Sequence, residues 1–143
     1  DMRLRAAYER VNVGKFEIAI NGLNAMLTMA RAEDRPRLLL FLGIASEQLG
    51  NHDDAIQAFG KVLNEAHTSA ALNAEAHYRL GAIYLRRGAA AWAKMHFVAT
   101  EQSKGMVPHI PARDIYTFLA QAAECLGDES DRNRYLSLAK SAR

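Results

Sequence analysis

Apolar positions in this chain recur at intervals of three and four residues rather than two. Ala55, Ile56, Phe59, Val62 and Leu63 mark one face of a helix in this way. Asn51 and Asp53, at its start, offer side-chain acceptors for the free amides of a first turn. From Leu38 to Ala45 the apolar run is almost continuous, which predicts a helix buried on more than one side. No stretch alternates polar and apolar for long enough to form a sheet. The pattern predicts helices at about 2–12, 15–32, 36–49, 52–66, 70–87, 90–104, 111–126 and 129–142. Gly50, Gly88 and Gly127 follow Leu49, Arg87 and Leu126 at expected helix ends, where a left-handed residue lets the chain reverse. Between Ser103 and Pro111 the pattern lapses, with Gly105 expected to end one helix and Pro111 to start the next.

These helices repeat. Ala7, Gly43, Gly81 and Ala120 are each followed seven residues later by a glycine, namely Gly14, Gly50, Gly88 and Gly127. The four glycines stand 36, 38 and 39 residues apart, and Ala19, Ala55 and Ala93 follow the first three at five residues. A period between about 20 and 50 residues marks a helical repeat whose units are too small to bury their own apolar faces. The expected units are roughly 1–35, 36–73, 74–112 and 113–143, within a single domain.

The segment Ala74-Glu75-Ala76-His77-Tyr78-Arg79-Leu80-Gly81-Ala82-Ile83-Tyr84-Leu85-Arg86-Arg87-Gly88, with Ala93 and Phe97, resembles a tetratricopeptide (TPR) repeat. Leu42-Gly43, Gly50, Ala55 and Phe59 match a second copy. Ala6-Ala7, Gly14, Phe16, Ala19 and Leu23 match a third, and Leu119-Ala120, Gly127, Leu136 and Ala139 a degenerate fourth. The resemblance implies an all-α fold, a right-handed superhelical solenoid of about four TPR-like helix-turn-helix repeats. It also implies that Gly43, Gly81, Ala19, Ala55 and Ala93 lie where paired helices approach closely, and that Phe59 and Phe97 fill the space between one hairpin and the next. The fourth copy departs from the pattern, with Arg132 in place of the packing alanine. Its final helix, with Arg132, Arg134, Lys140 and Arg143, is expected to be a polar end-cap.

Composition narrows the function further. The net charge is only +2, so nothing points to nucleic acid or to an anionic membrane. No apolar run approaches the ~20 residues needed to span a bilayer, and direct membrane insertion is not expected. The opening Asp-Met-Arg-Leu-Arg is neither a signal peptide nor a natural start, so the chain is expected to be part of a longer protein, with a cytoplasmic location favoured. Cys125 is the single cysteine, so no intrachain disulfide can form, and it is read as an inert thiol. His52, His67, His77, His96 and His109 never pair at i, i+4, and no HExxH occurs. His77 takes a position usually held by a bulky packing residue; His109, in the long loop, is the histidine to watch. Asp53-Asp54 and Asp128-Glu129 stand at helix starts, where the helix dipole accounts for them. No enzyme, metal or cofactor is expected.

Surface recognition remains. In TPR proteins the first helices of successive repeats line a concave groove. Mapped by the motif, the implied groove residues are Tyr8, Val11, Asn12, Leu40, Ile44, Gln48, Tyr78, Arg79, Ala82, Leu85, Arg86, Thr117 and Gln121, with Glu124 beside them. Such a groove is apolar, with a basic spot at Arg79, Arg86 and Arg87. Some family members grip a C-terminal carboxylate with lysines and asparagines; here those positions hold Leu4, Tyr8, Phe41 and Glu75, with only Arg79 matching. An apolar groove suits an amphipathic helix or a hydrophobic segment of a protein partner. The resulting expectation is a protein-interaction scaffold. The alternatives are a helical chaperone for a secretion or pilus-assembly partner, or a sensor domain for a small ligand or peptide.

Overall fold

A computed structural model describes residues 2–6 and 15–142. Among them the chain forms eight helical segments and no strand: α1 within 2–6, α2 Phe16–Leu27, α3 Arg35–Gln48, α4 His52–Asn64, α5 Ala70–Arg86, α6 Ala90–Gln102, α7 Ala112–Cys125 and α8 Glu129–Ser141. The chain divides into two compact units, 1–72 and 73–143.

The turns follow local backbone chemistry. At the end of α3, Gly50 has φ +81°; its amide donates to the Glu47 carbonyl and the Asn51 amide to the Ser46 carbonyl, both at 2.9 Å. Gly88 repeats the arrangement after α5, and Gly127 after α7. This reciprocal pair of bonds satisfies helix-end carbonyls, and its left-handed residue is one that a Cβ would strain. Gly14 lies outside the described residues.

The close approaches are equally specific. A Cβ on Gly43 would stand 2.5 Å from Cε1 of Phe59, and one on Gly81 2.8 Å from Cε1 of Phe97. Phe59 therefore seats on the glycine of its own hairpin, α3 against α4. Phe97 does the same between α6 and α5, and its other side lies parallel to Phe118 of α7 with centroids 5.1 Å apart. Ala19, Ala55 and Ala93 are buried, as the close-packing expectation required.

In the first unit, Leu4, Leu23 and Leu38 form one apolar cluster, supported by Met26, Leu27, Ala30, Phe41 and Leu42. Ala19 and Ala45 form a second, against Phe16, Ile20 and Ile44. Arg35 fastens the start of α3 to its surroundings, with Nε 3.2 Å from Glu65 Oε1 and Nη1 donating to the Leu27 carbonyl. In the second unit α6 packs on α7 and α7 on α8. Val107 and Ile110 of the 103–111 loop turn inward and are buried.

Three local expectations are corrected. α2 stops at Leu27 rather than near 32: Thr28 bonds back to the Ala25 carbonyl, and the chain must turn before Pro36, which sits in the first turn of α3. Pro111 is the residue before α7, in extended conformation, not its first helical residue. Asn51 makes no side-chain capping bond, whereas Asp128 does, accepting from the Asp131 amide at 3.0 Å.

Candidate functional site

The implied groove residues fall into three groups. Tyr8, Val11 and Asn12 lie outside the described residues. On α3, Gln48 is exposed and Ile44 half-buried, but Leu40 is only 3% exposed and belongs to the packed interior. The near-continuous apolar run around Leu40 is the reason: α3 is buried over much of its girth, so this position faces core. On α5 and α7 the structure brings Tyr78 against Phe118.

Tyr78 is the centre of an aromatic cluster. Its ring meets Phe97 edge-on at 6.0 Å and Phe118 edge-on at 5.7 Å. Edge-to-face contacts of this kind are favoured by the ring quadrupoles, and with Phe97 behind it Tyr78 has little freedom to move. Burial, with a smaller contribution from the Asp114 carboxylate, raises the phenol pKa, so the hydroxyl stays a neutral donor and acceptor. Further along α5, Ala82 and Leu85 are half-buried and Arg86 is exposed. Tyr78, Ala82, Leu85 and Arg86 follow the i, i+4, i+7, i+8 spacing of one helical face, about 12 Å long. On α7, Thr117 is half-buried and Gln121 exposed. Phe118 joins the two helices and was not among the implied residues; an aromatic beside Thr117 on the same helix was the available signal.

Arg79 differs from its expected role as part of a basic spot. Its Nε and Nη2 both lie 3.3 Å from Glu75 Oε1, and the same oxygen is 3.2 Å from His109 Nε2. His109 thus ties the long loop to α5 through Glu75.

The histidines hold a feature that linear spacing hides. His77 on α5 and His96 on α6 stand with their Nδ1 atoms 3.0 Å apart, so one ring must donate and the other accept. Tyr84 lies flat on His96, centroids 5.5 Å apart and planes within 3°. Trp92 stacks on the same tyrosine. Burial, then the neighbouring His77, lowers the His96 pKa to about 4; burial lowers that of His77 as well. The pair is neutral at pH 7 and packs as part of the hairpin, in line with the structural role expected for His77. Among the described residues no group of three or more His, Cys, Asp or Glu side chains is placed to hold a metal ion. Cys125 is exposed. None of the described helices is long and apolar enough to cross a membrane.

The fold is that of a TPR-like helical-repeat protein. The crystal structure of MamA matches with a TM-score of 0.81 and 21% sequence identity, covering 97% of this chain and 75% of that one. The MamA RS-1 ArsTM double mutant matches with a TM-score of 0.79, also at 21% identity, over 96% of this chain and 71% of that one. No protein-family model matches the chain, and no curated protein matches it.

Proposed function

We propose that this chain is a protein-interaction module that binds a helix or hydrophobic segment of a partner on the face shared by α5 and α7. The observation that carries this reading is Tyr78, half-buried and braced edge-on by Phe97 and Phe118. An aromatic already held in place loses little entropy when a partner covers it, the property that makes such residues binding anchors. Ala82 and Leu85 extend the apolar strip, while Arg86 and Gln121 provide a polar rim. The TPR-like fold supports the reading, since stacked helical hairpins present such faces for recognition. Ile44 and Gln48 of α3 are candidate contacts within the first unit.

The test is quantitative binding by a partner recovered with the wild-type chain and identified by mass spectrometry. Arg86→Ala with Gln121→Ala should leave stability within about 1 kcal/mol, as for exposed helical positions. Affinity should fall at least about tenfold, equivalent to about 1.4 kcal/mol. Unchanged affinity in this double variant would remove the face from consideration.

A further inference from the structure

A single hydrogen bond links His77 of α5 to His96 of α6, and its geometry sets how many protons the pair can hold. With the Nδ1 atoms 3.0 Å apart and the ring centroids 5.2 Å apart, the two nitrogens point at each other. In the neutral pair one Nδ1 carries hydrogen and the other accepts it. A first added proton can sit on Nε2 of the donating ring, which keeps the bond and makes it charge-assisted. The second can go only to the accepting Nδ1, which sets two N–H groups and two positive charges head to head. Little around the pair offsets those charges. Burial and then His77 depress the His96 pKa, burial depresses that of His77, and among the described residues no carboxylate acts on either ring. Glu75 of α5 is held by Arg79 and His109, Lys94 of α6 by Asp131 of α8, and Asp114 of α7 acts on Tyr78 instead. Tyr84, flat on His96, is neutral in acid.

The pair stands one residue from the Tyr78 cluster on both helices. His77 precedes Tyr78 on α5 and His96 precedes Phe97 on α6, and consecutive helical residues differ in height by only about 1.5 Å. The edge-on contact of Tyr78 with Phe97 therefore lies at the level of the imidazoles, and helices that part at one must part at the other. We propose that His77 and His96 form an acid-operated latch: double protonation drives α5 from α6 and withdraws Phe97 from Tyr78, unbracing the anchor while the chain stays helical. Helicity is kept because the latch acts between the two helices and not on the backbone bonds within either. The consequence for a partner rests on Tyr78 being a binding anchor; the opening itself does not.

The test is a pH titration of the whole chain by NMR, following nuclear Overhauser contacts between the Tyr78 and Phe97 rings, with circular dichroism of the same samples. The contacts should be full at pH ~7.5 and at least about halved by pH ~4, with the helical signal retained. His77→Asn keeps an amide near the Nδ1 position, able to bond His96 but not to take a proton, so its contacts should persist to about one pH unit lower; His96→Asn should do the same. Ring contacts are read without any partner, so the latch and the binding face succeed or fail separately. The latch is overturned if the wild-type contacts are undiminished at pH ~4, if helicity falls in step with them, or if both asparagine variants lose them at the wild-type pH.

Discussion

At the scale of single residues, two pairings carry the energetics. The first is glycine under phenylalanine. Phe59 and Phe97 are both fully buried, so neither ring can retreat into solvent if a methyl group is added beneath it. Gly81→Ala is expected to cost about 1–3 kcal/mol in urea denaturation, as overpacked cores do. Phe97→Ala should cost about 3–5 kcal/mol through the cavity it leaves. Because the two side chains compete for one space, the double variant should be less destabilised than the sum; strict additivity would show that the ring does not rest on the glycine. The second pairing is His77 with His96. Both pKa values are depressed in the folded state, His96 to about 4, so the unfolded chain binds more protons once the pH falls below about 6.5. The stability present above pH ~6.5 should therefore drain away as the pH falls towards ~4. Urea midpoints between pH ~7.5 and ~5 will show that slope, and His77→Gln with His96→Gln should flatten it.

At the scale of elements, the turns were legible because their chemistry is local. A glycine at the end of α3, α5 or α7 needs only its own backbone to adopt the left-handed conformation. Gly88→Ala is accordingly expected to cost about 1–2 kcal/mol, whatever its neighbours, since no atom lies within reach of the added methyl. Caps are less legible, because a suitable side chain must also adopt a suitable rotamer. Asp128→Ala should cost about 1 kcal/mol through its lost bond to the Asp131 amide, whereas Asn51→Ala should be close to neutral. Equal losses in thermal denaturation would contradict the difference in capping. The early end of α2 belongs here too: the Thr28 hydroxyl bonds back to the Ala25 carbonyl, and the chain must turn before Pro36 in the first turn of α3.

At the scale of the whole molecule, the division into two compact units gives a further expectation. Each unit has its own buried apolar residues, and the division falls near the start of α5. A fragment beginning at Ser69, so that α5 is kept whole with the Ser69 hydroxyl bonded to the Leu72 amide, should retain a helical circular dichroism spectrum. At about 75 residues it should be markedly less stable than the full chain, since small domains bury a smaller fraction of their surface. A random-coil spectrum would mean that the second unit does not fold alone.

The sequence by itself determined the helices, their approximate ends, the glycine turns and the small residues at the close approaches. All of these rest on periodicity or on what one residue's backbone and volume permit, and both are readable without knowing neighbours. Only the tertiary structure decided that Leu40 faces core, that Phe118 completes the Tyr78 cluster, that Arg79 is engaged by Glu75, and that His77 meets His96. The two histidines are nineteen residues apart on different helices, and no spacing rule within one helix brings them together. Ser46 makes the same point: its polarity is plain in the sequence, but its burial depends on how α2 and α4 pack against α3, which is a property of the packed helices and not of any one of them.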